Sequence, residues 1–213
     1  LYRRHHAQSG VTHEPGVGRH DCDRVDSTLE GATVMDFYTY EGKIIFPEQA
    51  PSIRSIAVSL SRECRYAGAS LYWWPVALHT FVVCDLLPDK FKIHGLLHDA
   101  DECVTGDIPK PAKTIDIQQL GQDVRESIYN QFGIPTLCHD GACHVHAADL
   151  RTLHGEVHTV GTESLRSVYH QDYEAMQLVW KYFKLYSPLD CIDANGSCVK
   201  EFIRRFDEYR QIT

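Results

Sequence analysis

The sequence predicts a mainly α-helical protein with a short extended hairpin toward its N-terminal side. Apolar residues recur at helical spacing from about residue 52 onward, and Gly or Pro residues separate the periodic segments. The composition, 43% hydrophobic and 23% charged among 213 residues, is typical of a globular domain with a buried core. We therefore expect one helical domain over residues 35–213, preceded by a polar extension over residues 1–34.

The first predicted elements are the hairpin and two helices. Residues 35–46 hold two short apolar stretches around a Gly turn, which predicts a hairpin or a pair of extended segments. Residues 53–64 then follow the i, i+3, i+4 rule of a helix, with Ser52 as N-cap. The nearly all-apolar residues 76–87 predict a buried helix whose first turn Pro75 suits.

The remaining elements are also predicted as helices. Asp89 can cap the next helix, which runs into His98 and Asp99. Residues 106–111 contain two prolines and a glycine and predict a loop. Further helices are expected near residues 116–132, 143–160, 167–186 and 197–211.

The overall charge limits the classes of partner. The formal net charge is -8, from 29 acidic and 21 basic residues, whereas duplex nucleic acid or a membrane surface requires a basic face. We expect neither as a partner, and no apolar run approaches the roughly 18 residues of a membrane span. Several of the eight cysteines lie in helical patterns and no secretory signal is visible. Reduced thiols and a cytoplasmic location are therefore expected.

A His and an Asp side by side at a predicted helix end suggest a metal site. His98 supplies an imidazole nitrogen and Asp99 a carboxylate oxygen, a mixture that suits Mn, Co, Fe, Zn or Mg. His79 lies in the apolar preceding helix and needs a partner once buried, for which a metal ion is one candidate. A further acidic ligand is expected from a later helix, where Asp149 is best placed and Asp140 competes with it.

Two other groups of His and Cys residues have simpler interpretations. The pair His139 and Asp140 repeats the His-Asp dipeptide, and we interpret it as a surface capping pair. Residues 138–146 contain two cysteines and further histidines, but their spacing matches no standard zinc motif.

The local sequence around His98 resembles a known family. Residues 98–113, HDADECVTGDIPKPAK, closely resemble the HDASE…TGDLPTPVK segment of bacterial 5′-deoxynucleotidases. Residues 57–66, AVSLSRECRY, and residues 74–80, WPVALHT, resemble the ALS…CRF and YSVAEHS segments of small phage-borne relatives, which include phage dATP phosphohydrolases. The order His79, His98-Asp99, Asp149 is similar to the H…HD…D signature of the HD-domain phosphohydrolase superfamily.

This resemblance implies a fold and an activity. The fold would be an HD-domain helical bundle that assembles as a homo-oligomer. The activity would be removal of 5′ phosphate from a deoxynucleotide, a dNMP or a dNTP such as dATP, by attack of a metal-bound water. One divalent ion, of Co, Mn, Zn, Fe or Mg, would be bound by His79, His98, Asp99 and Asp149.

The resemblance also implies two candidate acid/base residues. Glu102 lies one helical turn beyond Asp99, shares its face and can reach the water or the leaving oxygen. Asp107, on the turn after Gly106, is the second candidate.

The substrate would be held by residues from three segments. Arg65 would bind the phosphate through its bidentate guanidinium, and Lys113 would add a point charge. Tyr66 would pack on the sugar or base, and Trp74 and Pro111 would contribute to the base pocket.

Two alternative functions remain open. A cyclic-nucleotide or oligonucleotide phosphodiesterase of the HD type would carry extra His ligands for a second ion, and His94 is a candidate for such a ligand. A non-catalytic nucleotide-binding HD protein is the other alternative, against which the presence of both Glu102 and Asp107 argues.

Overall fold

The computed structural model describes residues 35–212, so the predicted polar extension over residues 1–34 lies outside the described residues. Within residues 35–212 the protein is mainly α-helical with a short antiparallel hairpin, which confirms the predicted fold class. No helix in the described part of the chain is long and apolar enough to cross a membrane. The cysteines of this same part are free thiols.

The hairpin comes first and the helices follow it. Strands β1 (Met35–Thr39) and β2 (Gly42–Phe46) pair antiparallel, with Met35 opposite Phe46. The helices are α1 (Ile53–Arg62), α2 (Val76–Asp85), α3 (Lys92–Leu97), α4 (Glu102–Thr105), α5 (Ile115–Phe132), α6 (His139–Thr159), α7 (Glu163–Arg166), α8 (Tyr173–Leu185), α9 (Pro188–Ile192) and α10 (Ser197–Arg210). Short 3₁₀ turns occupy Arg65–Gly68, Asp89–Phe91 and Lys110–Ala112.

Capping side chains explain where three helices begin. Helix α1 begins after Ser52, as predicted, and the Ser52 side chain accepts the backbone N–H three residues on. Helix α6 begins at residue 139 rather than near 143, because Cys138 caps it in the same way. Helix α8 begins at residue 173 rather than near 167, because Asp172 accepts the N–H of its first turn.

Helix α2 lies at the centre of the fold. Its residues from Val76 to Cys84 are buried without a break, as the apolar run predicted. It contacts α1, α3, α6, α8 and α10, so a polar side chain on α2 must find its partners on those neighbours. His79 is such a side chain, and it is fully buried.

Helices α6 and α8 approach each other closely at Gly155. A Cβ atom at this position would lie 2.7 Å from the backbone carbonyl carbon of Ala175, closer than real Cβ contacts allow. The absence of a side chain therefore lets α6 pack directly against the backbone of α8. This packing fixes the helix that carries Asp149 and Glu156.

Candidate metal centre

Side chains from three helical segments converge on one point. His79 on α2, His98 at the end of α3 and Asp149 on α6 each offer one ligand atom within 4.8 Å of the others. His79 Nε2 lies 3.3 Å from His98 Nε2 and 3.2 Å from Asp149 Oδ1. This cluster could bind a metal ion, and it is the one group of three or more such residues found among residues 35–212.

The fourth predicted ligand borders the same space. Asp99 Oδ2 lies 3.2 Å from His98 Nε2 and 3.7 Å from His79 Nε2. Asp140, the competitor of Asp149, lies in the first turn of α6 with 74% of its side chain exposed. Helix α6 therefore supplies Asp149 to the cluster rather than Asp140.

Both imidazoles present Nε2 to the cluster because an acceptor binds Nδ1 on the other side of each ring. His98 Nδ1 lies 2.8 Å from the carbonyl oxygen of Gly95, which can only accept, so Nδ1 carries the proton. His79 Nδ1 lies 2.8 Å from Glu156 Oε1, and an ionised carboxylate likewise only accepts. Metal-binding histidines are oriented by contacts of this kind.

The carboxylates of the cluster favour positive charge between them. Burial opposes protonation of His98, but Asp99 and Asp149 outweigh it and raise the pKa of His98 to about 9. Burial and the nearby Arg65 lower the pKa of His79, but Glu156 and Asp149 outweigh them, so that the pKa is raised. The pKa values of Asp99 and Asp149 are lowered in spite of burial, because the imidazoles lie against them.

A fully buried carboxylate, which sequence reasoning missed, supports the cluster. Glu156 Oε1 accepts hydrogen bonds from Trp74 Nε1 at 2.6 Å and from His79 Nδ1 at 2.8 Å. Its Oε2 accepts from the Tyr66 hydroxyl at 2.8 Å and from Arg65 Nε at 3.1 Å. Burial raises the pKa of a carboxyl group, but Arg65 and His79 outweigh burial and lower the pKa of Glu156 to about 2.

Trp74 contacts the same carboxylate. Its side chain is fully buried and its indole N–H donates to Glu156, and a contribution of its ring to a base pocket stays a prediction. One signal in the sequence could have indicated Glu156. It follows Asp149 by about two helical turns and so shares its face of α6.

Arg65 and Tyr66 begin the 3₁₀ turn between α1 and α2, beside the cluster. Arg65 Nη1 lies 3.6 Å from Asp99 Oδ2, and only 11% of the Arg65 side chain is exposed. Its guanidinium carbon lies 5.5 Å from the centre of the Tyr66 ring. The Tyr66 hydroxyl is engaged by Glu156, and contact of its ring with a sugar or base stays a prediction.

The turn after Arg65 has an unusual backbone. Tyr66 and Ala67 have φ angles of 60° and 51°, in the left-handed region that is unfavourable for residues with a Cβ atom. The N–H of Tyr66 donates to Asp107 Oδ2 at 3.1 Å, and the N–H of Asp107 donates to Glu63 Oε1 at 3.3 Å. Asp107 therefore holds the turn in place and uses one of its carboxylate oxygens to do so.

The left-handed backbone predicts opposite effects of two neighbouring substitutions. Ala67→Gly should raise the free energy of unfolding by about 0.5–1 kcal/mol, because Gly adopts this conformation without steric strain. Gly68 has a φ of 78° with nothing within 4 Å of an added Cβ, so Gly68→Ala should lower it by a similar amount. The midpoint temperature of thermal unfolding measures both changes, because 1 kcal/mol shifts it by about 2–4 °C in a protein of this size. Shifts of the same sign would contradict the turn geometry.

Glu102 lies at the start of α4 with 6% of its surface exposed. Its Oε1 accepts from Lys113 Nζ at 3.3 Å, and its buried Oε2 has no hydrogen-bond partner among the described residues. Burial first, and repulsion by Asp99 and Asp107 second, raise the pKa of Glu102 to about 9. The side chain therefore holds a proton near neutral pH while one of its oxygens stays available.

Two other predicted positions lie away from these contacts. His94 Nε2 donates to the carbonyl oxygen of Pro135 at 2.8 Å, and its ring packs edge-on against Tyr129, so it belongs to the core. Pro111 is exposed in the 3₁₀ turn before Lys113, and its part in a base pocket stays a prediction.

Comparisons with known proteins show a similarity but no activity. No protein-family model matches the chain. The chain is similar to the Escherichia coli (strain K12) protein YfdR, whose description is uncharacterized, with 33% identity over 103 residues. The match covers 46% of this chain and 58% of YfdR, so it spans less than two thirds of that relative. Since the description of YfdR states no activity, a function has to be inferred from the chemistry of the site.

Proposed function

We propose that this protein is a metal-dependent phosphohydrolase of the HD type that removes 5′ phosphate from deoxynucleotides. The observation that carries the proposal is the convergence of imidazole and carboxylate groups beside the guanidinium of Arg65. Those groups belong to His79, His98, Asp99 and Asp149. A cation bound by these ligands would lie next to the guanidinium. This arrangement suits a phosphoryl group, because the phosphoryl oxygens can contact the cation and the guanidinium together.

The donor set fits a divalent ion. Imidazole nitrogens together with carboxylate oxygens suit Co, Mn, Zn or Fe, and the carboxylates alone also suit Mg. Bound there, such an ion would polarise a phosphoryl oxygen and lower the pKa of a water molecule. The contacts of His79 with Glu156 and of His98 with Gly95 already orient both rings for this purpose.

Arg65 binds the substrate phosphate in this proposal. Its Nε is held by Glu156, which leaves the terminal nitrogens to donate to phosphate oxygens. Since its side chain is largely buried, its attraction for a phosphate is screened less than that of a surface arginine. Lys113 adds a second cation near Glu102.

Glu102 transfers the proton in this proposal, and its position is the reason. It lies one helical turn beyond Asp99, and its Oε2 is buried without a partner among the described residues. A buried carboxyl oxygen is normally hydrogen-bonded, and a substrate oxygen or a water molecule would satisfy it.

Phosphate release from a panel of nucleotides is the direct test. We expect release from dNMPs or dNTPs, and less from the matching ribonucleotides, that depends on Co, Mn, Zn or Mg, stops with a chelator and returns when metal is restored. Asp149→Asn should remove this activity, whereas Asp140→Asn, exposed on the same helix, should keep it. A protein that binds Co(II) but releases no phosphate from any member of the panel would contradict the proposal.

Metal stoichiometry separates this proposal from a phosphodiesterase with two ions. The described residues hold a single cluster of three or more potential ligands, and His94 is bound to Pro135 instead. We therefore expect one ion per chain by elemental analysis. Two ions per chain would favour the cyclic-nucleotide or oligonucleotide phosphodiesterase.

A further inference from the structure

Glu156 contacts the metal cluster and the anion-binding arginine at the same time. One of its oxygens accepts from His79 Nδ1 and Trp74 Nε1, at 2.8 and 2.6 Å. The other accepts from Arg65 Nε and the Tyr66 hydroxyl, at 3.1 and 2.8 Å. Each oxygen therefore serves a different part of the site.

A carboxylate is the side chain that can make all these contacts. It has acceptor positions on both oxygens and no hydrogen to donate, so four donors can surround it. A glutamine of the same shape would turn an N–H₂ group toward two of the four donors. Such a glutamine could keep the contacts with His79 and Trp74 or the contacts with Arg65 and Tyr66, but not both sets.

Burial also ties Glu156 to both neighbours. Its side chain is fully buried, and a buried carboxylate needs a paired cation and further hydrogen-bond donors to offset the loss of hydration. Arg65 supplies the cation on one side, and His79 donates its Nδ1–H on the other. Movement of either partner would leave the carboxylate partly unpaired, so the three groups hold one another in place.

We propose that Glu156 is a positioning residue that sets the orientation of the metal ligand His79 and of the phosphate-binding Arg65 together. This inference rests on the proposed function, because it assumes that the two groups bind an ion and a phosphate. It predicts that one substitution at Glu156 weakens two separate binding events.

Glu156→Gln is the first test, with binding rather than turnover as the readout. Calorimetric titration of the metal-free protein with Co(II) should show an affinity about 10–100-fold weaker than that of the unmodified protein. Titration of the Co(II)-saturated protein with inorganic phosphate should show a further loss of about ten-fold, because Arg65 is no longer held. Glu201→Gln is the matched control, since Glu201 also accepts from two arginines but lies on α10, and both affinities should be unchanged.

Two milder substitutions divide the effect and cover the case in which Glu156→Gln does not fold. Trp74→Phe removes one donor from the His79 side, and it should weaken Co(II) binding more than phosphate binding. Tyr66→Phe removes one donor from the Arg65 side, and it should weaken phosphate binding more than Co(II) binding. Circular dichroism checks that each variant is folded.

The outcomes are distinct. Unchanged Co(II) and phosphate affinities in folded Glu156→Gln, or in both milder variants, would overturn the inference. Loss of Co(II) affinity alone would make Glu156 a support for His79 only, and would also overturn it. Failure of the unmodified protein to bind Co(II) would instead overturn the proposed function.

Discussion

Replacing His98 with alanine is expected to lower kcat/KM for phosphate release by at least about 1,000-fold. His98 Nε2 is one of the ligand atoms of the cluster, and its loss leaves His79 as the remaining imidazole ligand. Stabilisation of transition-state charge by a bound ion amounts to several kcal/mol, and about 4 kcal/mol corresponds to 1,000-fold in rate. Steady-state kinetics with Co(II) in excess, together with the Co(II) content of the protein, measure this effect.

The sequence contains its own control for this substitution. His139 precedes Asp140 just as His98 precedes Asp99, but His139 is exposed at the start of α6. His139→Ala should therefore leave both the kinetics and the Co(II) content unchanged. Equal losses in the two variants, or activity and metal content retained by His98→Ala, would show that the cluster is not the catalytic centre.

Glu102→Gln is expected to lower kcat by about 100- to 10,000-fold, the range for loss of a general acid or base. Co(II) affinity should stay close to that of the unmodified protein, because Glu102 is not one of the clustered ligands. The protein should also stay folded, since Gln has nearly the same shape and removes a carboxyl group from a buried position. Kinetics at several substrate concentrations separate kcat from KM.

Two further variants decide whether the effect belongs to Glu102. Glu126→Gln changes an exposed glutamate on α5 and should have no effect. Asp107→Asn tests the second candidate, one of whose oxygens already accepts the Tyr66 N–H. An unchanged kcat in Glu102→Gln combined with a large loss in Asp107→Asn would assign proton transfer to Asp107.

Three of the four predicted ligands of the candidate site carry a local signal in the sequence. His98 and Asp99 are adjacent at a helix end, and His79 is a polar residue in an otherwise apolar helix. The choice between Asp140 and Asp149 could not be made from spacing. It depends on which part of α6 packs against α2, since both residues lie on α6 but Asp149 contacts His79 whereas Asp140 is exposed in the first turn.

The contacts of Glu156 with His79 and Arg65 could not be predicted in the same way. Glu156 shares a face of α6 with Asp149, but the sequence does not show what that face contacts at residue 156. Its role depends on Trp74 and Arg65, which come from distant parts of the chain. For the same reason local sequence does not show that the indole N–H of Trp74 donates to Glu156.

The glycine contact between α6 and α8 has a consequence for the geometry of the cluster. Asp149 and Glu156 are separated by the fixed rise of one helix, about 1.5 Å per residue, and Gly155 presses that helix against a neighbouring backbone. Asp149 and the carboxylate that accepts from Arg65 therefore keep a constant separation, and neither can shift along the helix without the other.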